Sequence, residues 1–417
     1  MLAAICITAM AIRLLPRLSW NETRRSAERS HCVLDSARWR FLAVVTLALG
    51  VLTVNPALAT QTDRSGFERI NIVGEDHRNG LFDVSIEYDN AGSGWLAYSR
   101  VEVPKHVQTH LAKSTDGGKT WKYAGAANRS AEGSVVINGM TRKGVWRYET
   151  PTLLFDPQDI AARRWKLFVQ RYLAMPPYQK GNSLFENGWI EYKYAAIPAG
   201  PWSDAICLFG KPETNCQVDL NSLHPDLKGN VFYNELGSIA VDGTIYLSMD
   251  ASPTPTGFGK WEHRKIVLVS SQDHGITWTY VGTLTNFDDA SALGYRVLTG
   301  SSLVKENGRL FLLITPSGAK GLFAKNRGHD GTLVVAFEDI RRARLERDVG
   351  GKPVVLNSFK VDLHSGGLSD YDEQNTWGGV LISQIDTLAK REFFQIFSAR
   401  RRIGQRDAAA DADKPRR

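Results

Sequence analysis

From residue 67 onward the chain repeats a unit that few folds can use. Short runs of aliphatic, aromatic and β-branched residues alternate with Gly, Asp and Asn turns, and helical periodicity is nearly absent, so the fold class is all-β. One hairpin pattern recurs five times: "FDVSIEYDNAGSGWLAYSR" from Phe82, "ETPTLLFDPQDIAARRWKLFVQRY" from Glu149, "ELGSIAVDGTIYLSMDAS" from Glu235, "TGSSLVKENGRLFLLITPS" from Thr299, and "WGGVLISQIDTLAKREFFQIFSAR" from Trp377. The first four are each followed by a second strand pair: "THLAKSTDGGKTWKYAG", "WIEYKYAAIPAGPWS", "RKIVLVSSQDHGITWTYVG" and "GTLVVAFEDIRRARL". Four strands per unit and five units predict a five-bladed β-propeller, with "FERINIV" at 67–73 as the outer strand that closes the ring. A six-bladed ring is the second choice. A large β-sandwich would not explain a hairpin-plus-hairpin unit.

The ends of the chain read differently. Arg38 and Arg40, an apolar run over 41–54 and "ALA" at 57–59 have the three-part layout of a secretory signal, so 1–59 is expected to be leader and signal peptide. The apolar run is too short to span a bilayer, and no stable membrane span is expected once the signal is cleaved. The propeller is expected over 60–402 and a disordered tail over 403–417, where apolar periodicity is lost. The formal charge of +7 belongs to these ends. Residues 1–59 carry seven Lys/Arg against three acids, and the stretch from Arg391 eight against four, which leaves the body near neutrality. A nucleic-acid groove needs its charge in the folded body, so nucleic acid is discounted. Cys207 and Cys216 flank "LFGKPETN" and are disulfide candidates for an oxidising compartment, so a secreted or periplasmic monomer is expected.

Two segments share the pattern S-x-D-x-G-x-T-W. "STDGGKTW" supplies Ser114, Asp116, Gly118, Thr120 and Trp121; "SQDHGITW" supplies Ser271, Asp273, Gly275, Thr277 and Trp278. Both fall between the strands of an outer hairpin. There Asp can collect backbone N–H groups, Gly permits positive φ and Trp packs beneath the loop, so the expected role is structural.

In a propeller the inner strands converge on a central pocket, and polar residues near their starts line its mouth. Aligning the units on Ser85, Thr152, Ser238 and Ser302 sets Glu149 level with Glu235, three residues ahead, with Asp83 two ahead of its anchor. Arg296 and Tyr295 lie upstream in the fourth unit; Asn375 and Trp377 come from the fifth. Arg147 and Tyr148 precede Glu149 at the mouth, whereas Glu87 and Asp89 read as solvent-side turn residues. Carboxylates, an arginine and an aromatic facing one cavity suit glycosidic cleavage. One acid protonates the leaving oxygen, a second acts as base or nucleophile, Arg fixes the substrate and Trp stacks on a sugar ring. A partner is therefore expected to be a carbohydrate. No G-x-S-x-G, phosphate loop, dinucleotide motif or Cys/His zinc spacing occurs.

The two S-x-D-x-G-x-T-W segments are similar to the Asp-box (BNR) repeat of sialidases and other propellers. With "YRV" at 295–297 and "SSL" at 301–303 they resemble the sialidase superfamily. Five units, with Glu235 ahead of a hairpin, look more like the arabinanase, xylosidase and fructosidase glycosidases. Sialidases have six blades and an early F/Y-R-I-P motif, whereas Tyr295-Arg296-Val297-Leu298 lacks the proline and comes late. The resemblance implies an Asp base, a second acid and a Glu acid. Asp83, Glu149 and Glu235 would fill those roles, with Arg296, Tyr295, Trp377 and Asn375 holding substrate. It implies no cofactor, although some five-bladed glycosidases place a His near a central metal and His329 lies in "RGHDGT". An exo-sialidase, and a non-catalytic glycan- or protein-binding propeller, are the alternatives.

Overall fold

A computed structural model describes residues 66–76, 80–102, 104–178, 183–211, 214–254, 260–318, 329–361, 365–385 and 393–404. The leader and signal expected at 1–59 lie outside these residues, as does the tail from 405. The tail boundary at 403 needs correction. Ile403 is fully buried and its carbonyl accepts from Asn357, while the Gly404 N–H donates to Glu306 Oε2 at 3.0 Å, so the folded body runs to Gly404 at least.

The strands sort into five sheets arranged as blades, antiparallel except where short strands join an outer edge in parallel. Two short strands come first, β1 (Glu68–Arg69) and β2 (Ile72–Val73). Blade I is β3 (Leu81–Tyr88), β4 (Gly94–Glu102), β5 (His106–Ser114) and β6 (Trp121–Asn128), with β2 added parallel to β6. Blade II comprises β7 (Ala131–Ile137), β8 (Met140–Phe155), β9 (Trp165–Ala174), β10 (Ser183–Ala195), β11 (Ile206–Gly210) and β12 (Val218–Asp219). β12 joins β11 in parallel, and the far half of β8 pairs with β7 as an added ribbon. Blade III is β13 (Phe232–Val241), β14 (Thr244–Ser252), β15 (Lys265–Ser271) and β16 (Thr279–Thr285). Blade IV holds β17 (Val297–Glu306), β18 (Arg309–Ser317), β19 (Thr332–Asp339), β20 (Arg344–Leu345) and β21 (Val355–Phe359), the last two both pairing with β19.

Blade V is β22 (Ser365–Asp370), β23 (Leu381–Ile385) and β24 (Phe394–Ser398), completed by β1, which pairs Glu68 with Ser398. The N-terminal segment thus closes the ring, with its first half in blade V and its second on blade I. Each inner strand packs on the next, β3 on β8, β8 on β13, β13 on β17 and β17 on β22, and β22 returns to β3. The fifth unit was expected to start at Trp377, but its inner strand is β22, over "SGGLSD". Neighbouring inner strands cover it on both sides, and it carries no apolar periodicity to betray it.

Five apolar clusters fill the five junctions between blades. Leu154 and Phe168 of blade II meet Leu247 and Val267 of blade III; Leu268 meets Leu312 between blades III and IV; Leu313 meets Ile382 between IV and V. Leu381 meets Leu96 across the closing junction, and Leu111 meets Leu167 between I and II. Adjacent residues of one strand therefore serve opposite junctions, as Leu312 and Leu313 do. This is why "KIVLVS" and "RLFLLI" read as continuous apolar runs. Asp242-Gly243 and Asn307-Gly308, all at positive φ, close the inner hairpins of blades III and IV in two residues. Among the described residues no helix is long and apolar enough to cross a membrane.

Candidate active site

Each inner strand breaks its pairing with the second strand once. The breaks fall between Phe82 and Ser85, Glu149 and Thr152, Asn234 and Gly237, Thr299 and Ser301, and Ser365 and Ser369. At these bulges sit Asp83 (φ 52°), Thr150 (52°), Glu235 (53°), Gly300 (53°) and Gly367 (108°). Left-handed backbone costs a non-glycine residue roughly 1–2 kcal/mol, and the first three blades all bear it. A bulge also re-aims the side chain it carries. Blade V uses glycine because a Cβ at Gly367 would meet the Phe82 ring at 2.5 Å. The structural equivalents are therefore Asp83, Thr150 and Glu235. The sequence alignment set Glu149 level with Glu235. In blade III, however, pairing resumes at Gly237, one residue before Ser238, so the residue level with Glu149 is Asn234.

Three acids meet at this end of the axis. Asp83 is 5% exposed; the Ser99 hydroxyl donates to its Oδ2 at 3.2 Å, and the Leu368 N–H donates to its carboxyl from blade V. Burial first, then repulsion from Glu149 and Glu235, pushes its pKa well above the ordinary carboxyl range despite those two donors. Ser99 Oγ also accepts the Thr150 N–H at 3.2 Å, joining blades I and II at the same point. Glu149 and Glu235 are half-buried. The Gly300 N–H donates to Glu235 Oε2 at 2.6 Å, so blade IV holds the acid of blade III.

Four further residues surround the acids without having been flagged by the sequence. Buried Tyr172 on β9 hydrogen-bonds to Glu149; burial and the Glu149 charge push its phenol well up. Asp250 on β14, cross-strand from Asn234, is fully buried and grips Arg264, whose Nε lies 2.7 and 3.0 Å from its two oxygens. Burial raises Asp250 to about 6; Arg264 opposes the rise and Glu235 adds to it. Asn234 is the fourth. Only Asp250 left a trace in the sequence, an acid inside the apolar run "IYLSMDAS".

Arg147 stays with the acids: it lies opposite Tyr172 and hydrogen-bonds to it, while its guanidinium also donates to the carbonyls of Pro104, Lys105 and Tyr178. The remaining expected site residues are placed elsewhere. Tyr295 packs into the apolar junction of blades III and IV. Arg296 is exposed beside Gly318 at the start of β17, and its guanidinium makes no hydrogen bond or ion pair with the described residues. Asn375 and Trp377 belong to the β22–β23 connection, beyond the end of β22 that is opposite its bulge. There the Trp377 N–H donates to Gly117 O, and Asn375 packs on Gly118. The structure thus joins these two residues to the first S-x-D-x-G-x-T-W turn and not to the acids. His329 Nδ1 is 2.9 Å from Ser317 Oγ, and Asp330 pairs with Lys360. Asp89 ties its own turn through Ala91 and Ser93, whereas Glu87 is half-buried and takes the Phe155 N–H beside Asp370 and Asp372. Glu87 is therefore not a solvent-side turn residue.

In the two repeated turns, the aspartate is a hub. Asp116 accepts from the Ser114 hydroxyl (2.8 Å), the Thr120 N–H (2.9 Å) and the Thr120 hydroxyl (2.6 Å). Asp273 does the same with Ser271 and Thr277 at 2.8, 2.8 and 2.6 Å. Trp121 and Trp278 are buried below, and the Trp278 indole donates to Gly275 O. Each turn clasps an inner-hairpin turn of the preceding blade. Lys119 lies over the Trp377 ring of blade V, and His274 bonds Asp156 of blade II at 2.8 Å. Asp156, Asp159 and His274 also form a three-ligand group close enough for a metal. The fully buried Lys166 ammonium, 3.3 and 2.7 Å from the two aspartates, already supplies a positive charge there. At the outer edge of blade II the sulfurs of Cys207 and Cys216 are in bonding contact, with Cα atoms 4.6 Å apart.

No protein-family model matches the sequence, and no curated protein matches it. Solved structures do. The Hadza microbial sialidase Hz136 superposes with a TM-score of 0.44 at 14% identity, over 80% of this chain and 68% of the sialidase. Zg3597, a family 117 glycoside hydrolase from Zobellia galactanivorans, gives 0.44 at 15% identity, over 80% and 89%. The Bombyx mori GH32 β-fructofuranosidase BmSUC1 gives 0.46 at 11%, over 77% of this chain and 60% of its own length.

Proposed function

We propose that the protein hydrolyses a glycosidic bond at the bulged end of the propeller axis. The observation that carries the reading is the meeting of Asp83, Glu149 and Glu235 from three successive blades, with Asp83 and Glu235 both on strained backbone. Glu235 is the proton donor. Its Oε2 is held by the Gly300 N–H, leaving Oε1 to carry the proton to the leaving oxygen as the C–O bond breaks. Asp83 is the base: a water attacks the anomeric carbon and gives its proton to the Asp83 carboxylate. In the free protein burial and the neighbouring acids favour the protonated form of Asp83. Positive charge developing opposite Asp83 in the reaction favours its ionised form, in which it can act as the base. Glu149, steadied by Tyr172, sets how tightly Asp83 holds a proton. Arg264 is committed to Asp250, and Arg147 to carbonyls and to the Tyr172 phenol, which favours a neutral glycoside over a carboxylated one.

Export to the periplasm or the medium is part of the same proposal, supported by the signal-like segment at 38–60 and by the Cys207–Cys216 pair. A panel of aryl glycosides that includes a sialoside, run with wild type and Glu235→Gln, tests the reaction. Turnover of a neutral glycoside that collapses in Glu235→Gln is expected. Turnover that survives the substitution unchanged removes Glu235 as the acid, and a panel with no turnover removes the reaction.

A further inference from the structure

Glu149, Asn234 and Thr299 occupy one position in blades II, III and IV, the last paired residue before the bulge. Asn234 and Thr299 are 8% and 2% exposed, and neither Asn234 Oδ1 nor Thr299 Oγ1 has a hydrogen-bond partner among the described residues. Thr150 Oγ1, on the strained bulge of blade II, is in the same state. A buried, unpaired polar atom costs about 1–3 kcal/mol. Here three lie on successive blades, each next to or on a bulge, around the acids. On the other side of the axis blade V offers Gly367 against the Phe82 ring, and Phe82 packs on Phe394 at 5.1 Å between centroids. The bulged end of the axis therefore carries a polar arc on blades II to IV, whereas Gly367 and Phe82 pack against each other where blades V and I meet.

From this arrangement we infer that Asn234, Thr299 and Thr150 read the hydroxyl groups of the sugar whose bond lies between the acids, with Asn234 the main specificity-determining residue. The inference rests on the hydrolase reading and narrows its substrate to a neutral, polyhydroxylated ring. Asn234 Oδ1 is an acceptor and needs an O–H donor. The threonine hydroxyls can give or take a proton, as sugar hydroxyls can. A carboxylate or phosphate offers no donor to Asn234 Oδ1 and would face Glu235 and Asp250.

The test compares aryl glycosides of neutral pentoses and hexoses with their ring-deoxy analogues, using wild type, Asn234→Ala and the near-isosteric Thr299→Val. Calorimetry of the corresponding free sugars, and thermal melting of each variant, accompany the kinetics. Wild type should lose about 10- to 100-fold in kcat/KM on the analogue lacking the hydroxyl that Asn234 accepts from. Asn234→Ala should lose as much on the parent glycoside and no longer tell the two apart. Thr299→Val should do the same at a different ring position and guards against a misfolded Asn234→Ala. If wild type turns over a glycoside and both variants keep the wild-type deoxy discrimination, the inference falls while the hydrolase reading stands. If nothing is hydrolysed but sugar binding weakens in the variants, the hydrolase reading falls and only the recognition of sugar hydroxyls by these residues stands. If no sugar is hydrolysed or bound, both fall.

Discussion

Asp83, at the bulge of β3, takes two hydrogen bonds, is buried, and sits in the field of two further acids. Asp273, in the β15–β16 turn, takes four from its own turn, from Ser271, Ile276 and twice from Thr277. The consequences are opposite. Slight burial would raise Asp273, but the Thr277 and Ser271 donors outweigh it and bring it down to about 2. Asp116 is lowered for the same reason. Burial and like charge push Asp83 well above the usual range. An aspartate given several donors by its own turn holds that turn together; one left short of donors among other acids holds a proton it can exchange.

The sharpest way to break this contrast is to exchange the substitutions. Asp83→Asn should lower kcat/KM by about 10²- to 10⁴-fold on any glycoside the wild type cleaves. Asp273→Ala should leave kcat/KM at the wild-type value below its melting temperature. Its effect should appear in denaturant or thermal unfolding instead, as a loss of about 2–3 kcal/mol from the hydrogen bonds that Ser271 and Thr277 give the carboxylate. Steady-state kinetics and melting curves on the two variants check both halves. Equal loss of activity in both would mean that the turns contribute to the chemistry.

The same contrast governs what the sequence made legible. The S-x-D-x-G-x-T-W turns could be read because every partner of Asp116 and Asp273 lies within four residues, so local spacing encodes the hydrogen bonds. The blades were legible because strands buried on both faces write long apolar runs. The acids were legible individually, as polar residues at the starts of apolar strands. Their company was not. Tyr172 and Asp250 lie on second strands and Arg264 on the approach to a third strand, each brought in by cross-strand register. The offset between Glu149 and Glu235 arose because both inner strands carry the same bulge but pairing resumes at Thr152 in one and at Gly237 in the other, a residue that apolar spacing does not mark. Asn375 and Trp377 were misplaced because the inner strand of blade V, "SGGLSD", lacks an apolar pattern and was passed over.

The pH profile sharpens the contrast at smaller amplitude. The base must be ionised to take a proton from water, so kcat/KM should fall as pH drops through the raised pKa of Asp83. The acidic limb should therefore lie well above the ordinary Asp range. Glu149→Gln removes the larger of the two neighbouring charges while keeping an acceptor for Tyr172. Its acidic limb should move to lower pH. A limb that stays in place would mean that Glu149 does not set the proton affinity of Asp83.

The smallest expected effect is on stability, and its sign separates a catalytic carboxyl from a structural one. Asp83 binds its proton more tightly in the folded chain than in the unfolded chain. Its contribution to stability is therefore fully present below the unfolded pKa and is lost as pH rises through the raised folded value. At neutral pH the wild type bears the cost of either charging buried Asp83 among like charges or keeping it protonated, and Asp83→Asn bears neither. The amide keeps an acceptor for the Leu368 N–H or the Ser99 hydroxyl. Asp83→Asn should thus be more stable than wild type by roughly 0.5–2 kcal/mol at neutral pH, as expected where activity is maintained against stability. The gain should shrink as the pH is lowered toward the ordinary carboxyl range, where Asp83 is protonated in both states. Asp273, lowered to about 2, carries the reverse dependence, with stability present above the unfolded pKa and lost as pH falls through the folded one. Melting temperatures of the wild type and Asp83→Asn across that pH range measure it, and a variant that is less stable at every pH would place Asp83 with the structural aspartates.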